Sequence, residues 1–308
     1  MRTILLTGKD GQIGWELQRT LMPLGRVVAV GKRELELTDR NAVRDMIRES
    51  RPDIIVNAAA YTAVDQAERE TELALAVNAV APGVMAEEAV RMGSLLVHYS
   101  TDYVFDGAKS EPYVESDQPN PLNAYGRSKL AGEEAIRATE VRHLIFRTSW
   151  IYGMRGNNFL RTILRLAGDR DELRVVVDQF GAPTWSRLVA EATAQLLAQW
   201  VAPRSEAMYG DIRRTYHLTA SGSTSWHGFA RTILARGCLL YPDLPIKARR
   251  VEAISATEYF APVRRPGNSR LNCNALQQAS GLILPDWDVC LERCLQEMPS
   301  PMTGNSQL

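Results

Sequence analysis

Short apolar runs alternate with longer amphipathic stretches through the first half of the chain. Arg2–Thr7, Arg26–Val30, Asp53–Asn57, Leu95–Ser100 and His143–Thr148 read as strands. Near-continuous apolarity, as in Ile54-Ile55-Val56, marks strands that helices cover on both faces. Between them Gly11–Leu24, Asp39–Ser50, Glu72–Met92 and Asn123–Thr139 carry helical patterning, with Thr38 or Asp39 placed to cap the second. Strand and helix alternating in this way predict an α/β fold built on a doubly wound parallel sheet.

After about residue 150 the alternation loosens. Leu173–Val177 reads as a strand, Ser186–Trp200 as a helix, Tyr216–Thr219 as a strand and Thr224–Ala235 as a helix. The expected organisation is a first domain over residues 1–150 and a smaller lobe over 151–298, some of whose elements return to the first domain. The polar tail 299–308 is expected to be disordered.

Composition narrows the function classes. The 308 residues are 45% hydrophobic and 23% charged with a formal net charge of zero, which gives no electrostatic case for nucleic acid or an anionic membrane. No uninterrupted run of 18 apolar residues occurs, and the first apolar run enters a glycine turn rather than a cleavage site. A cytoplasmic protein is expected. The four cysteines, Cys238, Cys273, Cys290 and Cys294, lack the partners of a zinc site and are expected to be buried reduced thiols.

Gly8-Lys9-Asp10-Gly11-Gln12-Ile13-Gly14 follows the first strand and opens the first helix. Gly8 would allow the tight turn, Gly11 the approach of a pyrophosphate and Gly14 close packing of helix on strand, as in a Rossmann-like dinucleotide site. An NAD site commonly carries a carboxylate at the end of the second strand. Here that end reads Val30-Gly31-Lys32-Arg33, and two cations there favour the 2′-phosphate of NADPH over NADH. Glu34 and Glu36 follow closely enough to neutralise them. The third strand ends in small residues, Asn57-Ala58-Ala59-Ala60, leaving room for a cofactor.

Tyr125 and Lys129 lie four apart, on one face of a helix. The chain has five lysines against 31 arginines, so a lysine here is against its habit, and arginine cannot serve in the same way. A neighbouring ammonium would lower the pKa of the phenol towards working pH, and Thr101 would hold a carbonyl oxygen ready for its proton.

Together these elements resemble the short-chain dehydrogenase/reductase superfamily in its extended, nucleotide-sugar branch. Further stretches resemble the dTDP-4-dehydrorhamnose reductase family over nearly the whole chain. They are Val56–Asp65, His98-Tyr99-Ser100-Thr101-Asp102-Tyr103-Val104-Phe105, Phe146-Arg147-Thr148-Ser149-Trp150, Asp178–Thr184 and Arg265–Leu271. That resemblance implies reduction by NADPH of the C4 ketone of dTDP-4-dehydro-L-rhamnose, with Tyr125 as proton donor, Lys129 on the nicotinamide ribose and Thr101 on the C4 oxygen. It implies cofactor contacts from Gly11, Gln12, Ile13, Glu36, Leu37, Ala60, Tyr61, Thr62 and Tyr99, and a sugar pocket lined by Asp102 and Trp150. A diphosphate substrate needs cations, which points to Arg264 and Arg265.

Some members of the family form a homodimer around Mg²⁺ held by glutamates. Of the corresponding positions Glu16 is retained, while Arg187 and Asp288 occupy the other two. An arginine cannot ligate Mg²⁺, so the expectation is no metal at this site and an ion pair between Arg187 and Glu16 instead. The rival readings are another nucleotide-sugar epimerase or dehydratase, and a non-catalytic regulatory subunit of the same fold.

Overall fold

The apolar runs become strands because each can bury side chains on both sides of one sheet. They are β1 (Thr3–Thr7), β2 (Arg26–Val30), β3 (Ile54–Asn57), β4 (Leu95–Thr101) and β5 (Arg142–Thr148). With a sixth strand, Arg213–His217, they form a parallel sheet in which that strand is followed by β5, β4, β3, β1 and β2. The structure is a computed structural model and describes residues 1–200, 212–259 and 262–298. The expected tail over 299–308 lies outside the described residues.

Alternation along each strand divides the core. Ile4, Leu6, Val56, Val97 and Phe146 pack on one face with Leu17 of helix α1 (Gln12–Thr20) and with Val189 and Leu196 of the helix Ser186–Trp200. Leu5, Ile55, Leu96 and Ile145 face the other way, onto Val43 and Ile47 of α2 (Arg40–Ser50) and Val84 and Met85 of the helix Ala81–Met92. Asp39 caps α2, its carboxylate accepting from the N–H groups of Asn41 and Ala42. A third core joins Tyr152, Leu160, Ile163, Phe229, Ile233 and Leu291 under the paired strands Glu172–Val176 and Arg250–Ile254. The helix Ser186–Trp200 and the strand Arg213–His217 thus return to the sheet from the second half of the chain.

Three elements differ from their patterning. The strand expected at Tyr216–Thr219 runs over Arg213–His217, because parallel pairing with His143–Arg147 sets its register. The helix expected at Thr224–Ala235 begins at Trp226, where Ser225 accepts from the Gly228 N–H, and runs to Leu240. Glu72–Met92 is no single α-helix: Thr71–Leu75 and Ala81–Met92 flank a π turn at Ala76–Val80. Although Thr71–Met92 is long and apolar enough to cross a membrane, 56% of its most apolar window is buried in the fold. Its fully buried Glu88 pairs with Arg48 at 2.9 Å, so it packs as a core element. Cys290 and Cys294 are buried as expected, but Cys238 is exposed on the helix Trp226–Leu240, contrary to the expectation for all four thiols.

The chain leaves β1 for β2 on one side and returns to β3 on the other. The carboxyl ends of β1 and β3 therefore diverge into a crevice, where ligands of such sheets bind.

Candidate active site

A cavity of about 730 Å³ opens at that crevice. At one end stands the glycine turn. Gly8 has φ +75°, and a Cβ on it would lie 2.6 Å from the Ala59 nitrogen, so only glycine lets β1 pass the end of β3. A Cβ on Gly14 would lie 2.0 Å from the Gly8 carbonyl oxygen, which is the close helix–strand packing expected of it. Helix α1 starts after Gly11 with no side-chain cap and no acidic residue in its first turn, leaving its N–H groups for an anion.

Gly8, Gly11, Gln12 and Ile13 line this end, as do Lys32, Glu36 and Leu37 after β2. Gly14 packs behind the turn, and Arg33 is exposed without lining the cavity, so only one of the two expected cations faces the site. Glu34 receives Lys9 Nζ at 2.6 Å and the Gly31 N–H at 2.8 Å. Glu36 receives the N–H and hydroxyl of Thr38. Lys32 Nζ lies 4.0 Å from Glu36 Oε2 on a well-exposed pair, so this cation remains open to a 2′-phosphate at the cavity's edge. These features fit a phosphorylated dinucleotide.

Ala60, Tyr61 and Thr62 line the middle of the cavity with Tyr99. Asn78, presented by the π turn, fixes this loop. Its Oδ1 accepts from the Tyr61 N–H at 2.8 Å, and its Nδ2 donates to the Tyr61 carbonyl at 3.0 Å and to Ser128 Oγ at 2.9 Å. Asn78 joins the loop to the helix Ala124–Arg137, which carries Tyr125 and Lys129 and which Asn123 caps through the Gly126 N–H.

At the far end β4 delivers Thr101 and Asp102. Thr101 and Tyr125 line this end of the cavity together. The Thr101 hydroxyl donates to Asp102 Oδ1 at 2.9 Å, and Ser149 donates to Asp102 Oδ2 at 2.9 Å. Burial pushes the Asp102 carboxyl up to about 6 against these bonds and one from Ser269. Trp150 holds φ at +47°, and its indole stacks on Trp226 at 3.5 Å, walling the cavity. A bulky residue in that backbone region is uncommon and is held by its surroundings.

One electrostatic expectation is corrected. Burial pushes the Tyr125 phenol up, to about 12, although the neighbouring Thr101 hydroxyl lowers it. The ammonium effect expected of Lys129 is missing because its Nζ turns to the Tyr99 carbonyl oxygen at 2.6 Å. Burial in turn pushes Lys129 down to about 8. Tyr125 is therefore a neutral phenol at neutral pH, the form that can give a proton.

Arg264 and Arg265 do not line the cavity. Arg265 pairs with Asp65 at 3.1 Å, and Arg264 is exposed. Arg187 does pair with Glu16, at 3.2 Å, while Asp288 is held by Arg236 at 2.6 Å. Among the described residues no group of three or more His, Cys, Asp or Glu side chains is arranged to hold a metal. Sequence reasoning passed over Gly156 and Asn157, which line the cavity on a segment laid across α1. In that segment Asn158 donates to Gln12 Oε1 at 2.9 Å and Arg155 stacks 3.4 Å over Trp15. The run Gly153-Met154-Arg155-Gly156-Asn157-Asn158 was a turn signal that could have been followed.

The comparisons with known proteins agree with this geometry. A family model described as RmlD substrate binding domain matches residues 1–300. A dTDP-4-dehydrorhamnose reductase of Burkholderia thailandensis is 47% identical over 297 residues, covering 96% of this chain and 99% of that one. The crystal structure of a dTDP-4-dehydrorhamnose reductase from Bacillus anthracis in complex with NADP has a TM-score of 0.84 at 36% identity, over 96% of this chain and 99% of that one. A dTDP-glucose 4,6-dehydratase from Streptomyces venezuelae, with a TM-score of 0.76 over 96% of each chain, is 17% identical and shares the fold alone.

Proposed function

Because the chain belongs to the dTDP-4-dehydrorhamnose reductase family, we propose that it reduces the C4 ketone of dTDP-4-dehydro-L-rhamnose to dTDP-L-rhamnose with NADPH. The observation that carries the reading is that Thr101, Tyr125 and Lys129 line the same cavity as the uncapped end of α1. Gly11, Gln12 and Ile13 hold the pyrophosphate, Lys32 meets the 2′-phosphate, and Ala60, Tyr61, Thr62 and Tyr99 flank the cofactor's path. Lys129 holds the nicotinamide ribose. When bound, the reduced nicotinamide supplies the hydride.

The remaining work falls to the chain. As hydride reaches C4, negative charge gathers on the ketone oxygen, and donors already aimed there stabilise it. Thr101 orients that oxygen and Tyr125 gives it the proton. A phenol raised to about 12 stays protonated through the neutral range, which suits a donor in reduction better than a base in oxidation. Asp102 and Trp150 shape the sugar pocket, and Trp150 excludes water from its side.

Epimerases and dehydratases of this fold return their cofactor in its original state, and a regulatory subunit turns nothing over. Net oxidation of NADPH with dTDP-4-dehydro-L-rhamnose, measured against NADH and other 4-keto nucleotide sugars, separates the three. Stoichiometric NADPH loss with product is expected. No oxidation with any substrate would overturn the reading.

A further inference from the structure

The indole of Trp150 is held from three directions. Its backbone lies in the left-handed region, φ +47°, where a bulky residue persists only if its surroundings over-determine it. One face of the ring lies on Trp226, with centroids 3.5 Å apart and planes 9° from parallel. The nitrogen-bearing edge lies over Gly181: a Cβ there would come within 2.5 Å of Cε2, 2.7 Å of Nε1 and 2.8 Å of Cζ2. The Trp150 carbonyl oxygen accepts from the Thr184 N–H at 3.1 Å.

Gly181 is not among the glycines with positive φ, so its backbone would accept alanine. The three atoms nearest to the missing Cβ all belong to Trp150, so the absent side chain makes room for the indole. The two walls are also one unit. Gly181 pairs with Thr224 and Phe180 with Ser225 in an antiparallel ladder, and Trp226 follows at once. On its other side Phe180 is tied to the segment after Arg265, donating to the Gly267 carbonyl at 2.8 Å and accepting from the Ser269 N–H at 2.7 Å. Behind Trp226 stands Phe159 at 4.6 Å, and Phe229 lies 5.5 Å beyond it in the third core. Trp150 follows β5, but the second half of the chain decides where its ring stands.

We propose that Gly181 and Trp226 are positioning residues, forming a slot that fixes the Trp150 indole as a wall of the sugar pocket and so sets the room left for the sugar ring. The slot is closed by Trp226 on one face and by the strand Phe180–Gly181 at the edge. It is open towards the cavity that Trp150 lines. A methyl group at position 181 therefore drives the ring into the space of the sugar.

The inference rests on the reading of Trp150 as a sugar-pocket residue, so its test separates the two. Calorimetric binding of dTDP-L-rhamnose, and of dTDP, which lacks the sugar, reads the slot without turnover. Gly181→Ala should weaken dTDP-L-rhamnose by about tenfold and leave dTDP within about twofold of the parent chain. Trp226→Leu should weaken the sugar nucleotide likewise, while Trp226→Phe, which keeps an aromatic face, should restore it. Trp150→Leu removes the ring that the slot holds, so adding Gly181→Ala to it should cost nothing more. That double variant should fold even where Gly181→Ala alone does not, since the clash is gone. Unchanged sugar-nucleotide binding in Gly181→Ala or Trp226→Leu, an equal loss for dTDP, or a further loss or misfolding in the double variant would overturn the proposal. A parent chain that binds dTDP but not its sugar-bearing form would remove the sugar-pocket reading and the slot's role with it. Binding by the parent without NADPH oxidation would remove only the reaction.

Discussion

Asp102 is placed against its own stability. It is 3% exposed, and burial raises its carboxyl from 3.8 to about 6. A folded-state pKa above the unfolded one contributes stability that is fully present below the unfolded value and lost as pH rises through the folded value, so Asp102 weakens the fold at neutral pH. Asp102→Asn should therefore raise unfolding stability there by on the order of 2 kcal/mol while slowing turnover. Urea unfolding at neutral pH tests it: a variant no more stable than the parent contradicts this reading. The Tyr125–Lys129 spacing and the Thr101-Asp102 pair were legible residue by residue. The direction of the Tyr125 shift was not, because burial and the Lys129 bond to a strand carbonyl depend on tertiary packing that spacing does not encode.

The elements hold those residues through contacts that can be broken singly. A Cβ at position 14 would meet the Gly8 carbonyl at 2.0 Å, so Gly14→Ala must push α1 off β1 and misplace its N-terminus. NADPH affinity, read by fluorescence titration, should fall at least about tenfold, a loss of about 1.4 kcal/mol; unchanged affinity would show that the turn does not seat the cofactor. The helix Ala124–Arg137 is fixed to the sheet by Glu133, fully buried, whose carboxylate receives Arg147 Nε at 2.9 Å and Nη2 at 2.7 Å. Arg147→Met removes the buried partner, leaving that carboxylate only Ser100 and the part-exposed Arg137 at 2.9 Å, and should cost about 3 kcal/mol. A loss under about 1 kcal/mol in the same unfolding assay would mean that the pair does not anchor the helix. The first glycine turn was readable because its backbone demands are local. The π turn at Ala76–Val80 was not, since the partners of Asn78 lie at Tyr61 and Ser128.

Across the whole molecule, the alternation of short apolar runs with amphipathic stretches was enough to read the parallel sheet, because near-continuous apolar strands need helices on both faces. The sixth strand was placed three residues late at its start: its boundaries come from pairing with β5, a neighbour distant in sequence. The crevice between β1 and β3 follows from strand order, and strand order from crossovers that no local pattern states. What the fold then brings together is an anion-ready helix end, a raised and still protonated phenol, and a threonine hydroxyl lining the same cavity. The most direct measurement of that account is NADPH turnover with dTDP-4-dehydro-L-rhamnose by Tyr125→Phe, with NADPH binding measured in parallel. The account predicts retained binding and a loss of turnover of about 10²–10⁴-fold. Turnover equal to that of the parent chain would contradict it.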